Sequence, residues 1–107
     1  MQLPLQGVRV LDLSRVLAGP WCAMALGDFG AEVIKIDHPV RGDDTRDWGA
    51  RVGETETAYF NSANRNKRSV TLDLQTGEGQ RIVRELVRGV DVLVQNFKAG
   101  GMDRLGL

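Results

Sequence analysis

Apolar residues occur along this chain in blocks whose spacing changes from strand-like to helix-like and back. Residues 8–13 form an apolar run rich in β-branched side chains, which predicts a buried strand. A turn follows over residues 14–19, and Pro20 is placed as the first residue of a helix, where its fixed φ is favourable. The apolar positions that predict the buried face of this helix are Cys22, Ala25, Leu26 and Phe29. Gly30 is expected to end it.

The same alternation continues to the end of the chain. Residues 31–36 predict a second buried strand ending at Asp37, residues 69–74 a third and residues 90–94 a fourth. Thr76 is a suitable N-cap for a helix before the fourth strand. A strand, a helix and a strand within about 30 residues form a βαβ unit, whose connection is right-handed and whose strands are parallel. The pattern therefore predicts an α/β fold built on an open, mainly parallel sheet with flanking helices.

The segment between the second and third strands is long and charged. Glycines and charges of alternating sign fill residues 38–56, and loops of this length in compact domains tend to be functional or disordered. Trp48 favours a docked loop, because a large ring rarely stays in solvent. The acidic residues Asp43, Asp44 and Asp47 alternate with arginines, which predicts a solvated loop with surface ion pairs. Residues 55–64 predict a short helix.

Composition limits the classes of function. The formal net charge is zero, so nothing favours nucleic acid or an anionic membrane as a partner. No stretch approaches the roughly 18 apolar residues that span a bilayer, and the amino terminus lacks a signal-peptide pattern. Cys22 is the only cysteine, so an intrachain disulfide is impossible and a cytoplasmic location is expected. Two or three helices cannot cover both faces of a four-stranded parallel sheet, which predicts an amino-terminal piece of a longer chain.

Candidate chemistry lies in three loops at the carboxyl ends of predicted strands. These loops are residues 14–18, 37–38 and 96–98, and such ends share one edge of a parallel sheet, where ligands bind. A nucleotide or phosphate site is one interpretation, and ordinary connections are the other. NAD is disfavoured because the first turn lacks GxGxxG. One cysteine and one histidine provide no metal-ligand cluster. The basic cluster at residues 65–68 is interpreted as a solvated strand edge, with phosphate binding as the alternative.

Four segments in order resemble the amino-terminal part of class III (CaiB/BaiF-type) coenzyme A transferases: GVRVLDLSRVLAGPWCAMALGDFGAEVIKID, GDDTRDWG, NRNKRSVTLDL and DVLVQNFKAGGMDRLGL. The resemblance implies that residues 1–107 form the amino-terminal part of a Rossmann-like domain. In this family two chains interlock as a homodimer, and CoA passes from an acyl-CoA to a small carboxylic acid. The family nucleophile is an aspartate beyond Leu107, so no catalytic residue is assigned here. α-Methylacyl-CoA racemases share the AGP motif and are the alternative enzyme; a non-catalytic nucleotide-binding module is the alternative outside enzymes.

The resemblance also implies a coenzyme A site. Residues 16–18 match the turn at the thioester end of the pantetheine arm, and His38 matches a position near the CoA phosphates, where it would make a weaker, pH-dependent contact than an arginine. Residues 72–75 and 96–98, with Arg104, match the surroundings of the adenosine part. Arg15 stands beside the acyl end and is a hypothetical contact for the second carboxylate of a dicarboxylic acid. The expected CoA-binding residues are Val16, Leu17, Ala18, His38, Leu72, Asp73, Leu74, Gln75, Asn96, Phe97, Lys98 and Arg104.

Overall fold

Four parallel strands form the centre of the protein in a computed structural model that describes residues 2–107. The strands are β1 (Arg9–Asp12), β2 (Glu32–Asp37), β3 (Lys67–Thr71) and β4 (Val92–Val94). Their order in the sheet is β3-β2-β1-β4, and all three pairings are parallel. The prediction of an open parallel α/β sheet is confirmed. β2 and β3 lie on one side of β1, whereas β4 lies on its other side. The direction in which strands are added therefore reverses, and a topological switch point lies between β1 and β4.

Helices connect the strands. They are α1 (Ala18–Asp28), α2 (Ala58–Ala63), α3 (Gly77–Val87) and α4 (Gly101–Arg104), and a 3₁₀ helix (Asp44–Asp47) lies in the long loop after β2. Thr76 caps α3 as predicted, because its hydroxyl accepts the Gly79 N–H at 3.0 Å. None of the helices among residues 2–107 is long and apolar enough to cross a membrane.

Two apolar clusters cover the two faces of the sheet, as the side-chain alternation of β-strands requires. Leu11 and Ile36 pack in one cluster with Val83 of α3, whereas Val10 and Val33 pack in the other with Ala23 of α1. Val10 and Leu11 are completely buried. Burying one such side chain stabilises the fold by about 1.5–3 kcal/mol, so these central strands anchor the loops at their carboxyl ends.

The predicted buried face of α1 is wrong except at Leu26, which is partly buried and packs against the apolar cluster of Val10 and Val33. Gly19, Pro20, Ala23 and Met24 are buried, whereas Cys22 and Ala25 are exposed and Phe29 is 55% exposed. The helix is apolar on most sides, so spacing alone does not select one face. Small residues determine which face of α1 packs against the sheet, because a side chain at Gly27 would put its Cβ 3.3 Å from Val33 of β2. Pro20 is the third helical residue instead of the first, and Gly30, with φ +108°, follows the helix end.

The predicted solvation of the loop after β2 is wrong in one important place. Asp43 is completely buried, whereas Asp44 and Asp47 are exposed. Trp48 packs edge-on against Tyr59 of α2, with ring centroids 5.9 Å apart. β3 begins at Lys67, two residues earlier than predicted, because Lys67 pairs in register with Val33 of β2.

Candidate functional site

A groove lies along the carboxyl ends of the strands, beside the switch point between β1 and β4. It consists of two cavities. The first, the turn cavity, has a volume of about 560 Å³ and is lined by Arg15, Val16, Leu17, Ala18, Asp44, Asn96, Phe97 and Lys98. The second, the rim cavity, has a volume of about 240 Å³ and is lined by Arg15, His38, Arg41, Asp73, Leu74, Gln75, Phe97, Lys98, Gly101, Arg104 and Leu105. Arg15, Phe97 and Lys98 line both.

The structure brings the predicted CoA-binding residues together. All of them line one of the two cavities except Leu72, which packs in the apolar cluster that also contains Leu74 and Phe97. Leu72 therefore belongs to the apolar core and not to the lining of the groove. Residues distant in sequence meet here because parallel strands present their carboxyl ends at one edge. Whether this groove binds coenzyme A stays a prediction.

The side chain of Asn96 connects the loop after β4 to the turn after β1 by hydrogen bonds. Its side-chain oxygen accepts the backbone N–H of Arg15 at 3.0 Å, and its amide nitrogen donates to the Arg15 carbonyl at 2.7 Å. The Leu13 N–H donates to the Val94 carbonyl at 2.8 Å just before this point, so the side chain of Asn96 extends the ladder between the two strands. Two segments 81 residues apart thus form one wall of the turn cavity.

Val16 holds a backbone conformation that β-branched residues rarely adopt. Its φ is +76°, in the left-handed region. A residue held in such a region costs about 1–3 kcal/mol and persists only when its surroundings enforce it. Gly19 adds to the tightness of this turn, because a Cβ there would lie 2.3 Å from the Cβ of Ser14. The turn that lines the cavity is therefore strained and closely packed.

A buried ion pair lies beneath the turn. Lys35 Nζ donates to Asp43 Oδ2 at 3.0 Å and to the Ser14 carbonyl at 3.0 Å, and both side chains are at most 2% exposed. Burial acts to raise the pKa of Asp43, but the Thr45 N–H and the Lys35 ammonium group outweigh it and hold that pKa below its usual range. Asp43 is thus an anion whose donors are fixed by the fold.

Three further ion pairs extend this cluster. Asp37 Oδ2 accepts from Arg46 Nη2 at 3.1 Å, and Lys35 Nζ stands 3.9 Å from Asp37 Oδ1. Lys67 Nζ donates to Asp12 Oδ2 at 2.8 Å, so the interpretation of residues 65–68 as a solvated edge is wrong for this lysine. It is correct for the exposed Arg65 and Arg68, which pair with Asp28 and Glu32. The residues of this buried ionic cluster are Asp12, Asp37, Asp43, Lys35, Arg46 and Lys67.

Sequence reasoning missed this cluster. One signal was present: Lys35 interrupts an apolar strand that a parallel sheet buries on both faces. A long charged side chain at such a position requires a buried partner.

Cationic side chains surround the rim cavity. Arg41, which sequence reasoning did not select, lines it together with Lys98 and Arg104. His38 Nδ1 accepts the N–H groups of Val40 at 3.1 Å and Arg41 at 3.2 Å, so its Nε2 carries the proton in the neutral ring. The Arg15 guanidinium stands 5.7 Å from the centre of the Phe97 ring. The rim thus offers several cations and one ring face to an anionic, partly aromatic ligand.

The described part of the chain, residues 2–107, contains no group of three or more side chains placed to hold a metal ion.

A parallel sheet with a switch point and helices on both faces defines a doubly wound α/β domain, an architecture in which nucleotides bind at the crevice beside that point. The family model for CoA-transferase family III matches residues 5–107, and the chain belongs to this family. The sequence resemblance is thereby confirmed.

Known relatives support the family assignment. The chain is 53% identical over 104 residues to the succinyl-CoA:glutarate CoA-transferase of Mus musculus, covering 97% of this chain and 24% of that protein. It is 49% identical over 110 residues to the succinate–glutarate CoA-transferase of Agrobacterium fabrum, covering 97% and 28%. The crystal structure of a CaiB/BaiF family protein from Brucella suis aligns with a TM-score of 0.91 and 50% identity, over 100% of this chain and 29% of that one. The chain thus spans about a quarter of the length of these relatives.

Proposed function

We propose that this chain forms the coenzyme A-binding part of a CoA transferase, which moves CoA from an acyl-CoA to a carboxylic acid. The observation that carries the proposal is the groove in which the turn cavity and the rim cavity share Arg15, Phe97 and Lys98. A long ligand with a thioester at one end and phosphates at the other matches two cavities that share lining residues, one beside a backbone turn and one bordered by cations.

Within this proposal each part of the groove has its own role. Residues 16–18 line the thioester end of the pantetheine arm. His38, Arg41 and Arg104 attract the phosphates, and Phe97 offers its ring face to an apolar part of the ligand. The fixed fork of an arginine suits phosphate because it donates two parallel hydrogen bonds.

The reacting carboxylate belongs to polypeptide beyond Leu107 in this proposal. That carboxylate attacks the thioester carbonyl of the donor, which gives a mixed anhydride and releases CoA as a thiolate. The thiolate attacks the enzyme-derived carbonyl of the anhydride, which releases the donor acid and leaves an enzyme-bound CoA thioester. The acceptor carboxylate then attacks this thioester and releases the thiolate, which attacks the acceptor-derived carbonyl of the second anhydride, so that the new acyl-CoA forms and the enzyme carboxylate is restored. Covalent catalysis of this kind divides one difficult exchange into easier steps. The same family resemblance supports an interlocked homodimer and a cytoplasmic location, and both remain proposals.

The acids exchanged are proposed to be dicarboxylic. Succinyl and glutarate groups appear in the names of the mouse and bacterial relatives. Among residues 2–107 the side chain of Arg15 makes no hydrogen bond or ion pair. Arg15 lines both cavities, and its guanidinium stands beside the Phe97 ring. Its free N–H groups suit the second carboxylate of such an acid.

The test is a screen of acyl-CoA donors against carboxylic acid acceptors with the native, full-length protein. We expect CoA exchange, with dicarboxylic acids preferred over monocarboxylic acids of similar length. Arg15→Ala should reduce that preference by about tenfold, which corresponds to one lost charge-assisted hydrogen-bond pair. An unchanged preference would refute the role of Arg15. Exchange of an α-proton without CoA transfer would favour the racemase, and CoA binding without either reaction would favour a non-catalytic module.

A further inference from the structure

Hydrogen bonds hold the strained turn at Val16, one two residues before Val16 and others at Val16 itself. Lys35 Nζ binds the carbonyl of Ser14, two residues before Val16, at 3.0 Å. Both carboxylate oxygens of Asp43 stand 3.4 Å from the backbone N–H of Val16 itself. Since Lys35 and Asp43 also bind each other, one buried ion pair reaches the backbone before and at the strained residue.

A buried ion pair is a poor choice when only stability is required. Removing two charges from water costs about as much as their attraction returns, and apolar side chains of similar volume often stabilise a core equally well. The pair between Lys35 and Asp43 provides something that apolar residues do not. Its donor and acceptor atoms fix backbone groups of the turn in definite directions.

We propose that Lys35 and Asp43 are positioning residues, which hold the turn at Val16 in the conformation that lines the turn cavity and thereby set the fit of the acyl–pantetheine end of a CoA thioester. This inference rests on the proposed function. It assigns to two buried residues a role in ligand fit, without contact between either of them and the ligand.

The test compares two ligands on the native, full-length protein by isothermal titration calorimetry. Coenzyme A reaches both cavities, whereas adenosine 3′,5′-bisphosphate lacks the pantetheine arm. Asp43→Asn should raise the Kd of coenzyme A about tenfold and change the Kd of the bisphosphate less than twofold. Asp47→Asn is the matched control, because Asp47 lies in the same loop but is exposed; both Kd values should stay unchanged. Equal weakening of both ligands, or of neither, by Asp43→Asn would overturn the proposal.

A second variant separates positioning from general loosening of the fold. Glycine adopts a positive φ without strain, so Val16→Gly should lessen the need for the ion pair. In the Val16→Gly background we expect Asp43→Asn to raise the Kd of coenzyme A only about twofold. A tenfold increase in that background as well would show that Asp43 does not act through Val16.

If Asp43→Asn fails to fold, the double variant Lys35→Met with Asp43→Asn replaces it. This double variant leaves neither Lys35 nor Asp43 as a lone buried charge. We expect the same selective loss of affinity for coenzyme A in the double variant. An equal loss of affinity for both ligands would again overturn the proposal. Failure of the proposed function can be distinguished from failure of this inference. Wild-type protein that binds coenzyme A without transferring it would contradict the proposed transferase function, but not the proposed role of Lys35 and Asp43 at the turn. Wild-type protein that binds no coenzyme A would overturn both.

Discussion

Replacing Lys67 by methionine should destabilise the fold strongly, because it leaves a buried carboxylate without its cation. The Lys67 ammonium donates to Asp12 Oδ2 at 2.8 Å, to the Pro20 carbonyl at 2.9 Å and to Asn64 Oδ1 at 2.8 Å. Its side chain is 2% exposed and that of Asp12 is fully buried. Methionine has a similar length and no charge. Asp12 would then retain only the N–H and hydroxyl of Ser14 as donors.

The expected cost is about 3–5 kcal/mol, the range for removing one partner of a buried ion pair. That is a large share of the roughly 5–15 kcal/mol by which domains are stable. The net value of the pair is much smaller than this cost. Burial lowers the pKa of Lys67 and its hydrogen bond to Asp12 restores only part of that shift, so the folded state disfavours the ammonium form relative to water. Neutralising both partners should therefore recover more than half of the loss.

The assay is urea unfolding followed by circular dichroism, with the free energy of unfolding compared across four proteins. Arg68→Met is the matched control, because Arg68 is the next residue, pairs with Glu32 at 2.9 Å and has a side chain 77% exposed. An exposed pair contributes about 0–1 kcal/mol. Asp12→Asn with Lys67→Met tests the recovery. The reasoning is refuted if Lys67→Met costs no more than Arg68→Met, or if the double variant is no more stable than Lys67→Met alone.

Two further outcomes are expected from the turn and the cluster below it. The pKa of Asp43 is lowered on folding, so its ionised form adds stability above about pH 4, and this stability is lost as the pH falls through the lower pKa of the folded state. Asp43→Asn should therefore flatten the fall of the unfolding free energy in that acid range. An unchanged acid profile of the unfolding free energy would contradict this. Gly19→Ala should destabilise the protein by about 1–3 kcal/mol in thermal unfolding, since its Cβ would overlap Ser14. Gly77→Ala is the control for it, because no atom lies within 4 Å of a Cβ there; equal effects would mean that the turn relaxes freely.

The sheet and the rim of the groove could be predicted because they follow from local periodicity. Strand spacing marks where each parallel strand ends, and the ends of parallel strands share one edge, so Val16, His38 and Phe97 could be placed on one rim without coordinates. The buried face of α1 could not, because nearly every side of that helix is apolar. Small residues such as Gly27 select the face through close approach to β2, and close approach is a property of the packed pair.

The buried ionic cluster was unpredictable for a different reason. In the sequence Asp43 lies between Arg41 and Arg46, and a carboxylate in a segment of alternating charges is usually solvated. It is buried because the loop after β2 folds back under the turn after β1, which places it beside Lys35. A charge pattern describes a segment in solvent, and only the tertiary fold determines which of its charges is covered.

The geometry of the turn cavity is therefore a property of the assembled sheet and not of the segment that forms the turn. Val16 would leave its positive φ in an isolated peptide, because nothing local compensates the strain. Its restraints come from Asp43, 27 residues away along the chain, and from Asn96, which binds the neighbouring Arg15 across a separation of 81 residues. Asn96 follows β4, which pairs with β1, so the position of Asn96 beside Arg15 depends on that pairing. A change that loosens either the β4 edge or the loop after β2 should consequently alter the same few backbone atoms, although no change is made within the turn itself.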